Sequence, residues 1–544
     1  MAGETRDNEG MRRFELIVLL AAMTLSVMAI PAKRGPILRT MADGTEKEVY
    51  LHGDAFSHYM TDAKGVWLDP TTLEPMSEEA RSARMESNVK RAKARRIQQE
   101  AQEGLIPNIA PRGLIIMVNF ENKSFETSWE TIDYMLNGDN FWRDYTFDYR
   151  YMGKTYNEHV ECQGSARQYF KDQSYGAYEP IFDVVGPFTL SKEYSYYGKN
   201  DDARVGYMIK EACQMADAAG TDFTLYDNDD DGIVDFVYVM YAGFGEADGG
   251  PEETVWPHSY DLREFGFLCY CTVDGKDIGP YACSNEINYT SKVYNGIGTF
   301  CHEFSHVLGL PDLYETNQNP KGVHTLLEWD ILDYGPYNND GNTPPAYSAY
   351  ERFYLGWLQP RILSAPQAVW MERLNSEKGD AILLCDGDYH NMVGYNPDPK
   401  VFYLIESRIQ DGWDKFLPGP GVLITKISYD ADDWVWNEVN NDKDKMGVDL
   451  IEAKPNYSNY GKKSDAFPYG ATEWTDFAGH EVTEIEFDEI FGTTTFSYRG
   501  AAKNGVERCQ VGDTEYSIQK ILRDGQVLIL RNGKEYTIWG NENH

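Results

Sequence analysis

The stretch Thr299-Phe300-Cys301-His302-Glu303-Phe304-Ser305-His306-Val307-Leu308-Gly309-Leu310-Pro311-Asp312 holds the side chains best suited to chemistry. His302 and His306 are four residues apart, so on a helix they share one face and can hold one Zn²⁺. Glu303 would reach the zinc-bound water as general base and then carry the proton to a leaving amine. A catalytic zinc needs a third protein ligand and one open position. Gly309 can take φ > 0 and end the helix, and Pro311 prevents its continuation, so the chain can turn back and bring Asp312 to the metal. Asp312 is the expected third ligand, with His324 or a remote Glu as the alternatives.

A second motif is Asp227-Asn228-Asp229-Asp230-Asp231-Gly232-Ile233-Val234-Asp235. Asp227, Asp229, Asp231 and Asp235 fall at positions 1, 3, 5 and 9 of an EF-hand-type loop, with Gly232 at position 6. Position 12 is Tyr238, so the bidentate Glu is missing, and the apolar run Val234–Tyr241 reads as a strand where an EF-hand has a helix. The expectation is a structural Ca²⁺ loop outside an EF-hand. His258 is either a residue supporting the metal site or a satisfied structural histidine. Trp434-Val435-Trp436 with Asn440-Asn441 reads as β-sandwich core or as a substrate or carbohydrate surface.

The elements that must position these residues follow from pattern. Residues 113–120 form a continuous apolar run, as for a buried strand, and helical patterns lie near 127–136, 165–171, 203–219 and 296–309. From about residue 361 to 500, short strands and Gly/Asp/Asn turns dominate. Upstream, Arg12 and Arg13 precede the apolar run Leu16–Ile30, with small residues at Ala29 and Ala32. This reads as a signal peptide over 1–32, and no later segment is apolar enough to cross a bilayer. Residues 33–76 read as a small β-rich unit, Ser77 as the N-cap of a charged helix over 78–103, and 104–112 as a linker. Residues 501–544 form a last β-like piece, either a hairpin or a sorting tail.

The 544 residues carry 50 basic and 87 acidic side chains, a formal charge of −37. Residues 1–112 hold 16 of each, so the whole excess lies in 113–544. Such acidity excludes a nucleic-acid partner, which needs clustered Lys and Arg. Eight cysteines are too sparse for a disulfide scaffold. Cys269, Cys271 and Cys283 cluster and suggest a local bridge, whereas Cys301 reads as a buried thiol.

The motif HExxHxxGxxD, continuing into Asp312-Leu313-Tyr314, resembles the M6 (immune inhibitor A-like) metallopeptidases. So do Gly164-Ser165-Ala166-Arg167-Gln168-Tyr169-Phe170, Val184-Val185-Gly186-Pro187, Trp256-Pro257-His258 and Ser348-Ala349-Tyr350-Glu351-Arg352. The resemblance implies an α/β metzincin-like zinc protease domain over 113–360. A small β-rich propeptide (33–112) would precede it and a β-rich, sandwich-like domain (361–500) follow it. It also implies a Met-turn beneath the zinc. The matching segment Trp329-Asp330-Ile331-Leu332-Asp333-Tyr334-Gly335 has Leu332 where the pattern has Met, and Leu fills a similar volume. Tyr334 resembles the tyrosine that some metzincins place at the zinc, where it would donate to the oxyanion. The expected protein is a secreted or cell-surface zinc endopeptidase made as a zymogen, acting on proteins or peptides, with the propeptide docked on the catalytic domain. The rival is an inactive, calcium-stabilised adhesin or glycan-binding protein on a protease scaffold.

Overall fold

The structure, a computed structural model, describes residues 29–502 apart from 41–44, 56, 86–110, 152–153, 317–323, 456–457 and 459, together with the backbone of four strands between 506 and 537. The first 28 residues of the expected leader lie outside the described residues, as do 86–103 of the expected charged helix. Residues 78–85 are helical, and Ser77 Oγ accepts from Ala80 N–H as a cap should. No helix among the described residues is long and apolar enough to cross a membrane.

A five-stranded sheet carries the middle of the chain, in the order His258–Asp261, Pro280–Ile287, Val237–Phe244, Arg112–Asn119, Ile181–Thr189. The last four run parallel and the first is an antiparallel edge. Leu114, Ile116 and Val118 pack on the helix Val205–Ala218, while Ile115 and Met117 face the helix Gly298–Val307. Both faces are covered, which is why these strands read as unbroken apolar runs.

Residues 361–498 form two further sheets. One has five strands, among them Ala381–Leu384, Val401–Arg408 and Gly421–Ser428; the other has three, Gln367–Met371, Thr494–Tyr498 and Val482–Phe487. Ile382, Leu384, Ile405 and Ile424 fill the space between the two sheets. Leu383, Leu404 and Leu423, on the alternate face, join the core around the HExxH helix. The two-residue period of a strand thus ties this region to the site. Arg352, in the segment Ser348–Arg352, bonds the Tyr347 carbonyl and Gln173 Oε1 (2.9 Å), and the Ser348/Glu351 capping box starts its helix.

The N-terminal unit is an antiparallel sheet of Pro36–Thr40, Glu46–Asp54, Ser57–Thr61 and Trp67–Leu68. Its Ile37, Val49, Leu51, Met60 and Leu68 share a core with Ala247 and Trp256 of the central region. Ala29, Ile30 and Ala32, assigned to the leader on composition, are buried in that core. The C-terminal piece is a four-stranded antiparallel sheet, Val506–Gln510, Glu515–Arg523, Gln526–Arg531 and Lys534–Thr537. The seven described cysteines are buried free thiols, so the bridge suggested by the spacing of Cys269, Cys271 and Cys283 does not form. Cys283 sits instead inside the central sheet, with Sγ 3.5 Å from His258 Nδ1.

The HExxH helix is held from two sides. Phe300 and Phe304, one turn apart, meet Phe182 at ring distances of 5.0 and 5.2 Å, and Phe304 also meets Phe170 and Phe236 at 4.9 and 5.1 Å. At its N-terminus, Gly298 lets the backbone approach so closely that a Cβ would lie 2.0 Å from the Pro336 carbonyl oxygen. Gly298→Ala is therefore expected to lose about 1–3 kcal/mol of stability through overpacking, read as a lower midpoint in urea unfolding; an unchanged midpoint would contradict the close approach.

Candidate active site

His302 Nδ1 lies 2.7 Å from the Ile331 carbonyl and His306 Nδ1 2.8 Å from the Leu310 carbonyl. A carbonyl only accepts, so each Nδ1 carries the proton and donates. Both Nε2 atoms then present lone pairs, and they lie 3.2 Å apart. Asp312 Oδ1 is 3.3 Å from one and 3.4 Å from the other. All three side chains are buried, and Asp312 Oδ1 has no hydrogen-bond partner. Two imine nitrogens and a carboxylate oxygen at this spacing can share one cation, and the donor set is one that zinc takes. The residues fit the expected metal. Of the alternatives, His324 is not brought here: its Nδ1 pairs with Glu452 and its Nε2 lies 3.1 Å from the Ser458 carbonyl.

Local sequence explains the return of the chain. Gly309 has φ +88°, and the Leu310 N–H donates back to the Ser305 carbonyl (3.2 Å). The Leu313 N–H then donates to the Leu332 carbonyl (2.8 Å). Leu332, at the Met-turn position, is fully buried, and its neighbour Ile331 orients His302. Burial lowers the His302 pKa and keeps the ring in its neutral, ligating form. Burial also works against the Asp312 carboxylate, and a positive charge on the His306 and His302 side lowers its pKa below the ordinary value. Glu303 is pushed the other way, well above its usual range, by burial and by the Asp312 charge.

Asn437, which the sequence pattern does not mark, and its neighbours Asn440 and Asn441 hold the loop that carries Asp312. Asn437 Nδ2 donates to Asp312 Oδ2 (2.7 Å) and Asn437 Oδ1 accepts from Asp312 N–H (2.8 Å). Asn440 Nδ2 donates to the Leu313 carbonyl (2.7 Å), and Asn441 Oδ1 accepts from Thr316 N–H (2.7 Å). The 434–441 stretch is thus a clamp on the loop after the helix, with Trp434 wholly in the core. The Tyr314 hydroxyl lies 3.4 Å from Asp312 Oδ2 and donates to the Ala29 carbonyl. His258 is a satisfied structural histidine, bonded to the Trp256 carbonyl (2.7 Å) and the Tyr281 hydroxyl (2.8 Å).

An extended segment from the N-terminus runs through this place. Ile30 N–H donates to Glu303 Oε1 (2.9 Å) and Ala29 N–H to Asp312 Oδ2 (3.3 Å). The Ile30 carbonyl accepts from Trp256 Nε1 (2.9 Å) and the Pro31 carbonyl from the Tyr337 hydroxyl (2.6 Å). Lys33 N–H donates to the Ala247 carbonyl (2.8 Å). The Arg34 guanidinium lies 3.3 Å from the Tyr334 ring centre, so the expected oxyanion donor is covered.

Of the expected calcium ligands, Asp227, Asp229 and Asp231 bring carboxylate oxygens within 4.8 Å of one another. Asp235 is not in that group, because its Oδ2 accepts from Asn228 N–H and Nδ2, both at 2.6 Å. Lys276 Nζ sits 2.6 Å from Asp227 Oδ2, so an ammonium already meets one side of the cluster.

Because Asn437 bonds both the backbone N–H and the carboxylate of Asp312, Asn437→Ala is expected to weaken zinc binding about 10–100-fold, measured by competition with a chromophoric chelator. Unaltered affinity would remove Asn437 from the site.

Residues 109–360 match the family description "Immune inhibitor A peptidase M6, catalytic domain". Over 427 residues the chain is 23% identical to "Pre-pro-metalloprotease PrtV" of Vibrio cholerae serotype O1, covering 63% of this chain and 45% of that protein. Over 221 residues it is 26% identical to "Immune inhibitor A" of Bacillus thuringiensis subsp. alesti, covering 35% of this chain and 31% of that one. The chain thus spans less than half the length of these curated relatives. The catalytic-domain match lies over the strand-rich α/β region that holds His302, Glu303, His306 and Asp312, and with the two relatives it supports an M6-type metallopeptidase domain at residues 109–360.

Proposed function

We propose that this protein is a zinc endopeptidase with a metzincin-like catalytic domain at 113–360, exported and made as a zymogen. The observation that carries the reading is the convergence of His302, His306 and Asp312 beside a buried Glu303. The rival, an inactive adhesin or glycan binder, is not favoured, since every residue of the metal and base set is intact. Zinc held by these ligands would supply Lewis acidity, making a water acidic and polarising the scissile carbonyl. Glu303 Oε2 has no partner and Oε1 holds only the Ile30 amide, so removal of the segment frees both oxygens to take a proton from the attacking water and deliver it to the leaving amine. Tyr314, already bonded to a peptide carbonyl, and the hydroxyl of Tyr334, whose ring face can carry a guanidinium as it carries Arg34, are the phenols proposed for the oxyanion. Calcium at Asp227, Asp229 and Asp231 is proposed as structural.

The latency follows from the same contacts. Ala29–Arg34 fills the groove with backbone bonds to Glu303 and Asp312, and the N-terminal sheet holds it there. Leader cleavage at Ala29 keeps Ile30 in the groove, whereas cleavage after Ala32 would remove it. Activation is placed near Arg95-Arg96.

His58, on the N-terminal sheet, is central to the docking. Its Nδ1 lies 3.1 Å from the Asp54 carbonyl, and its Nε2 3.3 Å from Glu246 and 3.6 Å from Asp201. Both nitrogens face acceptors, so the ring is an imidazolium, stacked on Trp256 at 4.7 Å. Burial pulls its pKa down, but Glu246 and then Asp201 override this, with Arg84 opposing, and raise it to about 9. A raised folded pKa contributes stability in full below the free value near 6.5, and the contribution is lost as pH rises through about 9. The melting temperature of the full chain should therefore fall between pH 7 and 10, and fall less in His58→Asn; parallel pH profiles would contradict the pairing. For catalysis, Glu303→Ala should keep the fold and abolish casein hydrolysis, and surviving hydrolysis would refute the mechanism.

A further inference from the structure

We infer that the groove is built to take adjacent basic side chains, and that the favoured substrates are polypeptides with a Lys-Arg-like pair close to the scissile bond. The inference rests on the peptidase reading and names its substrate class. The segment in the groove shows where such side chains go. Lys33 and Arg34 follow Ile30, the residue whose N–H meets Glu303, by three and four positions.

Each falls against carboxylates. Lys33 Nζ lies 3.1 Å from Asp340 Oδ1, and its charge also acts on Asp248. Asp340 Oδ2 accepts from the Tyr145 hydroxyl (2.9 Å), which fixes the carboxylate in place. Asp248 is buried, its Oδ2 taken by Tyr289 N–H (2.9 Å) and its Oδ1 unpartnered. Arg34 lies 3.5 Å from Glu328 Oε1, with its guanidinium 3.3 Å from the Tyr334 ring centre and 5.7 Å from that of Tyr460. Asp333, fully buried, also feels the Arg34 charge. Glu328 Oε2 accepts from Gly461 N–H (2.7 Å), so this side chain too is held.

Two acidic pockets, one with an aromatic face for a guanidinium, are thus filled by two cations in the latent chain. When the segment leaves, Asp340 and Glu328 lose their cations and the groove wall carries uncompensated negative charge. A substrate that returns two cations restores the pairing; a neutral one does not. The chain contains such a sequence in its own pro-region, Lys90-Arg91-Ala92-Lys93-Ala94-Arg95-Arg96, so self-processing is within the same preference.

The test uses the protein secreted from cells expressing the full chain. Two internally quenched peptides are compared, identical except that one carries Lys-Arg where the other carries Gln-Gln. The Lys-Arg peptide should be turned over with a kcat/KM about tenfold higher, the difference lying in KM. Glu328→Gln should reduce this discrimination, and Glu328→Lys should shift it toward a Glu-Glu peptide; the shift in preference reports charge recognition, which misfolding would not produce. Asp340→Asn is the second variant for the Lys subsite. Equal kcat/KM for the two peptides, or discrimination unaltered in the variants, overturns this inference and leaves the peptidase reading standing. No hydrolysis of either peptide or of casein overturns the peptidase reading and this inference with it.

Discussion

Two imidazole nitrogens with exposed lone pairs and one ionised carboxylate oxygen lie within 3.4 Å of one another, away from water. In a dry interior such a group is expensive unless a cation occupies its centre. The surrounding structure holds it in that state. The Ile331 and Leu310 carbonyls fix the proton of each histidine on the far nitrogen, and Asn437 grips Asp312 at backbone and carboxylate together. Phe300 and Phe304 anchor the back of the helix in an aromatic cluster, and Gly298 brings its start against the loop that carries Tyr334, Tyr337 and Asp340. The β-rich region after 361 therefore belongs to the site: its 434–441 stretch supplies the clamp, and its first sheet backs the core beneath the helix.

The same polar wall explains how one segment can close the groove. Ala29–Arg34 makes its contacts chiefly through backbone, reaching Glu303, Asp312, Trp256 and Tyr337, and adds two cations for the flanking carboxylates. The charge asymmetry of the sequence, neutral before residue 113 and strongly acidic after it, takes a concrete form here. Lys33, Arg34, His58 and Arg84 of the N-terminal unit each face carboxylates of the region that follows.

The clustering of His302, His306 and Asp312 was legible because it is local. His302, Glu303, His306 and Asp312 span one helix and one turn, and Gly309 and Pro311 announce that turn. The central strands were legible as apolar runs because both faces are buried. Asn437 was not, since a single amide 125 positions from Asp312 carries no pattern. Ala29–Ala32 read as leader because small and apolar residues suit a cleavage site and a tight groove equally well. The cysteine spacing misled for a related reason: proximity in sequence says nothing of the strand face on which each thiol sits. Asp235 matched its loop position by number, yet its carboxylate closes a local bond to Asn228.

The proposed chemistry depends above all on a cation at the centre of His302, His306 and Asp312. Anomalous diffraction at the zinc edge, on crystals of the zinc-replete full chain, tests this directly. A single strong peak between His302 Nε2, His306 Nε2 and Asp312 Oδ1 is the predicted result. A peak elsewhere, or none at this place in zinc-replete protein, would contradict it.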